Sequence, residues 1–220
     1  MSRLPAAQRR EQLLDTAVSL FAERGFSGST TAQLAKAAGV TEPIIYRHFS
    51  SKKDLFIAVI EKAGQMTIDL WQEQLHNAKD PAQRLRRLIA ANPMITQRGR
   101  GVYRVIVQAM TEIEDPEILD ALKHHVDKLH EFVAHEVELA QDQGQVSKAF
   151  TPEITAWTLL HLGLGFGIMA PLGIDGHAVD DKGTRVRQVI TRLMLGERAR
   201  HIQDEWAMTE GEGNVGHDVP

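Results

Sequence analysis

Cysteine is absent from the 220-residue sequence. That excludes disulfides, thiolate metal sites and a thiol nucleophile, and it fits an intracellular address. Long apolar runs are missing as well. No stretch approaches the roughly 18 apolar residues of a membrane span, and the opening MSRLPAAQRREQ lacks the continuous apolar core of a signal peptide. The chain is therefore expected in the cytoplasm, away from membranes. Catalytic signatures are also lacking: the sequence has no G-x-S-x-G, no phosphate-binding glycine loop and no H-E-x-x-H, so neither an enzyme nor a cofactor or metal is expected. Sustained period-2 alternation, hairpin signals, internal repeats and low-complexity blocks do not occur. Helical periodicity does, almost throughout, and it predicts an all-α protein.

Charge is unevenly placed. The formal net charge is -4, which by itself argues against an anionic partner. Residues 1–55, however, hold eight Lys or Arg against five Asp or Glu, a balance of +3, and the other 165 residues hold 17 against 24, or -7. A small basic head on a larger acidic body places any contact with nucleic acid on the head.

Within the head, Leu13, Leu14, Ala17, Val18 and Phe21 have the spacing of one buried helix face, and Gly25 ends that helix with Phe26 folded back on it. Thr30 with Gln33 reads as a capping box opening a short second helix through Leu34, Ala35 and Ala38, which stops at Gly39. A third follows over TEPIIYRHF, residues 41–49, with Thr41 as its expected cap, Glu42 at its positive end and Pro43 in its first turn. Ile45 and Phe49 point inward together. Ser51 and Asp54 read as a second capping box opening a fourth helix. Further helices are expected near 52–77, 81–97, 101–113, 116–143, 151–170 and 182–208. The breakers are AsnAlaLysAspPro (77–81), ArgGlyArgGly (98–101), GluAspPro (114–116) and GlyIleAspGlyHis (173–177). Residues 211–220 read as a disordered tail.

The two short helices meet the needs of a helix-turn-helix, with Ala35 allowing close approach, Gly39 turning the chain and Ile45 plugging the junction. An ordinary helical hairpin would use the same three residues. The exposed side chains separate the two readings. Tyr46, His48 and Lys52 offer a hydroxyl, an imidazole and an ammonium, and Thr30 and Thr31 add hydroxyls at a helix start, all suited to phosphate oxygens.

From Arg10 to Leu55 the sequence carries LFAERGF, TTAQLAKAAGV, IIYRHF and SKKDLF in order and without gaps, and here it resembles the N-terminal domain of the TetR (tetracycline repressor) family of bacterial transcription regulators. The resemblance implies a three-helix DNA-binding head over residues 1–55, joined through its fourth helix to an effector-binding and dimerising body over 56–210. It implies a homodimer formed by the last two helices, binding double-stranded operator DNA and a small, largely apolar effector. By position, Thr31, Tyr46, His48 and Lys52 match backbone-contacting sites, and Glu42, Pro43 and Ile44 match sites that reach base edges. Ala32 stands where some members place a base-reading arginine, so that readout is absent. Arg47 can read guanine or hold phosphate, with phosphate the expected contact, and Thr30 and Thr41 complete the expected DNA-binding set.

The body is less legible. TAWTLLHLGLGFGIMAPLG, from Thr155, is apolar nearly all round and includes Gly163, Gly165 and Gly167. A helix with three glycines needs outside support, and either a subunit interface or a buried core position provides it. Trp71, Tyr103, Met110, Phe132, Trp157 and His161 are candidates for lining an apolar effector pocket, and equally for plain core. His124, Glu131 and His135 share a helical face, but the neighbouring Lys123, Asp127, Lys128 and Glu138 favour a solvated surface over a metal site. The ArgGlyArgGlyValTyrArg run, 98–104, is expected as a basic loop. Two other classes remain open: a helical protein–protein regulator that has kept the head without using it on DNA, and a small helical enzyme.

Overall fold

The computed structural model of the chain describes residues 4–90, 97–169, 172–174 and 188–189. These residues form eight α-helices and a 3-10 turn, with no strand among them. In order, the elements are α1 (Ala6–Arg24), α2 (Thr31–Ala38), α3 (Glu42–Tyr46), α4 (Lys52–Leu75), α5 (Pro81–Ala90), α6 (Gln97–Ala109), the 3-10 turn (Met110–Glu112), α7 (Pro116–Asp142) and α8 (Pro152–Met169). The expected helix over 182–208, the expected tail over 211–220 and most of the 173–177 breaker lie outside the described residues.

Local chemistry sets most of the boundaries. At the end of α1, Gly25 has φ 77° and ψ 167°, a combination open essentially to glycine alone. Its N–H still bonds the Phe21 carbonyl, at 2.9 Å. Gly25→Ala is therefore expected to lower stability by about 1–3 kcal/mol, read as a shift in urea midpoint at constant slope. The Thr30 box is complete: its hydroxyl accepts the Gln33 N–H at 3.2 Å, and the Gln33 side chain accepts the Thr30 N–H at 3.0 Å. Gly39, at φ 66° and ψ 34°, takes the left-handed conformation that turns α2 into α3.

Several sequence expectations are corrected. Thr41 flanks α3 but makes no side-chain cap bond, and α3 stops at Tyr46 instead of running to Phe49. The Ser51 box is half made: Ser51 accepts the Asp54 N–H at 3.0 Å, but the Asp54 carboxylate turns to the N–H of Ser50, at 2.7 Å. The ArgGlyArgGly stretch at 98–101 is not a breaker or a loop; it lies inside α6. Glycine weakens a helix without stopping it when neighbouring elements supply packing, and α6 lies against α1 and α4.

Two adjoining cores hold the helices. The first joins α1 to α4 with Val105, Ile106, Ala109, Ile118 and Leu122 of the body, so the three-helix head and the start of the body share one apolar interior. At its centre Phe21 meets Phe56 edge-on at 5.3 Å, and Phe26 stacks on Phe56 at 4.3 Å. Phe21 and Phe56, both buried, each contribute about 1.5–3 kcal/mol by leaving water. The second core joins α4, α5, α7 and α8 around Trp71, Leu85, Leu129, Val133 and Val137. Arg84 of α5 grips the buried Glu136 of α7 through two bonds of 2.6 Å. Polar ties also cross from head to body: Ser27 to Glu112 at 2.7 Å, and Lys53 to Asp115 and Glu117 at 3.2 and 2.6 Å.

Candidate nucleic-acid interface

The outward face of α3 is built from the back forward. Ile45 and Phe49 are buried, 1% and 2% exposed, and with Leu34, Ala35 and Ala38 they anchor α2 and α3 on α1. That burial fixes the rotation of α3. Pro43, Tyr46 and Arg47 then face solvent, while Glu42, Ile44 and His48 are half-buried. Tyr46 is half exposed, at 50%.

A hydrogen-bond chain joins the two short helices on this face. The Thr31 hydroxyl donates to the Glu42 carboxylate at 2.5 Å, and Tyr46 lies 3.2 Å from the same threonine oxygen. Because the Thr31 proton is committed to Glu42, the Tyr46 hydroxyl is the donor to Thr31. This network was not foreseen from the sequence, although three of the candidate residues make it; residues 11 and 15 apart meet only once the turn at Gly39 is folded. It holds the Tyr46 ring and the Glu42 carboxylate in place before any partner arrives.

Lys52 sits differently from its expected free position. Its ammonium lies 4.3 Å from the centroid of Phe26, and burial holds its pKa below the usual lysine value, against the opposing pull of Glu112. Arg10 covers the Phe49 ring in the same way, at 4.9 Å. The sequence hints at neither contact. Thr30 is exposed, with its hydroxyl engaged in the capping box, and Thr41 is exposed beside α3.

Of the six candidate effector residues, Trp71, Tyr103 and Phe132 come together in the second core and the other three lie elsewhere. Trp71 is buried and stacks on Phe132 at 5.6 Å, with its indole N–H unpartnered among the described residues. Met110 packs on the head-side core, Tyr103 touches both cores, and burial pushes the Tyr103 phenol up to about 12. Trp157 and His161 lie on the open side of α8, where Trp157 stacks on His130 at 4.4 Å and on His161 at 5.9 Å. Ile154, Leu162, Ile168 and Met169 are exposed along the same helix. Gly163 is buried, Gly165 is exposed with open space around it, and the surroundings of Gly167 lie outside the described residues. His124, Glu131 and His135 are all exposed on α7. No helix among the described residues is long and apolar enough to cross a membrane.

Sequence reasoning missed His125. It is buried at 4% exposure, and neither ring nitrogen has a hydrogen-bond partner among the described residues. Burial, helped by the neighbouring His124, holds its pKa down at about 4. Gly64 of α4 makes the room: a Cβ there would stand 2.6 Å from the imidazole Nδ1. A glycine in the middle of the long α4 pattern was the available signal.

The comparisons with known proteins agree with this architecture. The family model for bacterial regulatory proteins of the tetR family matches residues 13–59. The HTH-type transcriptional activator FasR of Mycolicibacterium smegmatis is 31% identical over 122 residues, 56% of this chain; the match spans only about half, 55%, of that protein. The nucleoid occlusion factor SlmA of Marinobacter nauticus is 30% identical over 148 residues, covering 67% of this chain and 74% of SlmA. Among solved structures, a transcriptional regulator from Saccharomonospora viridis in complex with choline is 26% identical, with a TM-score of 0.77 over 87% of this chain and 100% of that one. The head motif, the all-helical body and a relative matched over most of its length together place the chain in the tetR family of bacterial regulatory proteins.

Proposed function

We propose that the protein is a dimeric, DNA-binding transcription regulator, acting as a repressor that a small-molecule effector releases from a palindromic operator. The observation that carries this reading is the presentation of α3: Ile45 and Phe49 are sunk into the core, so Pro43, Tyr46 and Arg47 stand outward on a helix short enough to enter a major groove. Tyr46, Arg47, His48 and Lys52 would take phosphates, with Thr30, Thr31 and Thr41 at the flanks, while Glu42, Pro43 and Ile44 would face base edges. Ile44 can cover a thymine methyl, and Glu42 can accept from a cytosine amino group. Residues 1–55 would serve as the DNA-binding unit and 56–210 as the effector-binding and dimerising unit. The exposed apolar side of α8 supports pairing between two copies, and two-fold symmetry then matches two operator half-sites.

The test is binding to DNA flanking the protein's own gene, by gel shift over a range of salt. Specific retardation is expected, with affinity falling steeply as salt rises. Lys52→Ala should weaken binding to all sequences and lower the slope of log K against log salt by about one unit. An unchanged slope removes Lys52 from the contacts and leaves it as a clamp on Phe26. Failure of the unaltered chain to bind any such fragment sinks the operator reading.

SlmA is a nucleoid occlusion factor, which favours a second reading: the same head used on DNA without control of transcription. It differs in outcome. Deleting the gene would then leave transcripts beside the bound sites unchanged.

A further inference from the structure

The side-chain bonds between α2 and α3 determine which atoms the outward face still has to offer. Thr31 has one hydroxyl proton, and it goes to the Glu42 carboxylate at 2.5 Å. Tyr46 gives its own proton to the Thr31 oxygen across 3.2 Å. A hydroxyl carries a single O–H, so the Thr31 side chain has no proton left for a phosphate oxygen, which only accepts. The phosphate contact given to Thr31 above therefore falls to its backbone N–H, one of the free donors in the first turn of α2. Glu42 is half-buried at the start of α3, and among the described residues no Lys, Arg or His forms an ion pair with it. We propose that Thr31 is a positioning residue: its hydroxyl locks the Glu42 carboxylate as a charged acceptor and so makes cytosine the preferred base facing Glu42 in each operator half-site. The proposal rests on the DNA-binding reading above and adds to it the residue that sets a base preference.

The choice of base follows from what each one shows in the major groove. Cytosine offers an amino donor, adenine offers an amino donor beside the N7 acceptor, and guanine and thymine offer acceptors alone. An ionised carboxylate only accepts. It suits cytosine, meets repulsion from N7 of adenine, and opposite guanine or thymine is stripped of water with no donor in return. The discrimination thus comes as much from exclusion as from attraction. It also requires that the carboxylate stay in place. A glutamate free in solvent has rotamers through which it can swing away from the wrong base, and the Thr31 bond closes that escape. If Tyr46 turns its proton to a phosphate on binding, Thr31 still keeps its own on Glu42, so the lock survives.

Selection from a fully randomised duplex pool, followed by binding curves on single-base variants of the recovered site, reads the preference on the full-length chain. One position in each half-site is expected to favour cytosine about tenfold. Glu42→Gln should move the preference at that position to adenine, because an amide pairs with N6 and N7 together. Thr31→Val, close to threonine in shape but without the hydroxyl, should cut the cytosine preference about fivefold, the worth of one hydrogen bond. Thr31→Ser should keep it. Thr31→Ala, which favours helix, makes the same test if the valine variant folds poorly. Should the valine and alanine variants weaken binding to every sequence alike and leave the preference intact, the hydroxyl is a staple between α2 and α3 and the proposal is overturned. Specific sites without a cytosine preference, or a preference that ignores Glu42→Gln, reject the proposal and leave the DNA-binding reading standing. A chain that recovers no duplex removes both.

Discussion

Arg84→Met is expected to lower the stability of the protein by about 3–5 kcal/mol, the usual cost of stranding one member of a buried ion pair. Glu136 is 2% exposed, and Arg84 is its hydrogen-bonding partner through both oxygens, at 2.6 Å each. Methionine keeps much of the packing volume but supplies no donor, so the carboxylate is left desolvated between α5 and α7. Arg84 itself is partly open to solvent, with its side chain 31% exposed, which puts the lower end of that range first. Denaturant unfolding measures the loss. The double change Arg84→Met with Glu136→Leu should recover most of it, because nothing charged then remains buried. If the single change costs less than about 1 kcal/mol, water reaches Glu136 and the pair is a surface feature in energetic terms.

The second large effect concerns acid. His125 has its pKa lowered to about 4 by burial and by His124, whereas an unfolded histidine titrates near 6.5. Between those values the unfolded chain binds a proton that the folded chain refuses, so stability falls as pH falls from about 6.5 to about 4 and levels off outside that window. The accumulated loss from this one group is about 3 kcal/mol. Unfolding free energies measured from pH 7 to pH 4 in His125→Leu should lack this component. An identical pH slope in variant and parent would show that the imidazole is protonated freely in the fold.

The head was legible in the sequence because its signals are local. The Thr30 box, the stop at Gly25 and the turn at Gly39 each depend on residues within a few positions of one another, and all three stand in the structure. The inward Ile45 and Phe49 followed from simple four-residue spacing. Errors arose where a local rule met a tertiary contact. Glycines at 99 and 101 predict a break, but α6 lies against α1 and α4 and stays helical. Asp54 was assigned to Ser51 by spacing, yet Ser50 offers both an N–H and a hydroxyl to the same carboxylate oxygen. Lys52 was expected exposed toward phosphate, and the ring of Phe26, separated from it by both short helices, takes it.

The body was hardly legible for the same reason. Aromatic side chains at 71, 103, 132 and 157 look alike in sequence, but only the packing order of α4, α6, α7 and α8 decides which of them meet. His125 illustrates the limit most sharply: on α7 it reads as one more polar position, and its burial depends on the missing side chain of a residue 61 places earlier. No rule of spacing within either helix connects them.

The ring cluster of Phe21, Phe26 and Phe56 leaves no swivel between the first helix and the long fourth one. With 24 residues, α4 extends about 36 Å, so a tilt of about 5° pivoted at its far end carries the near end through about 3 Å by simple geometry. Welded there, α1 and the two short helices packed on it move with the near end of α4. Because that tip shares its apolar interior with α6 and α7 and is tied to them through Ser27 and Lys53, it travels only together with those parts of the body.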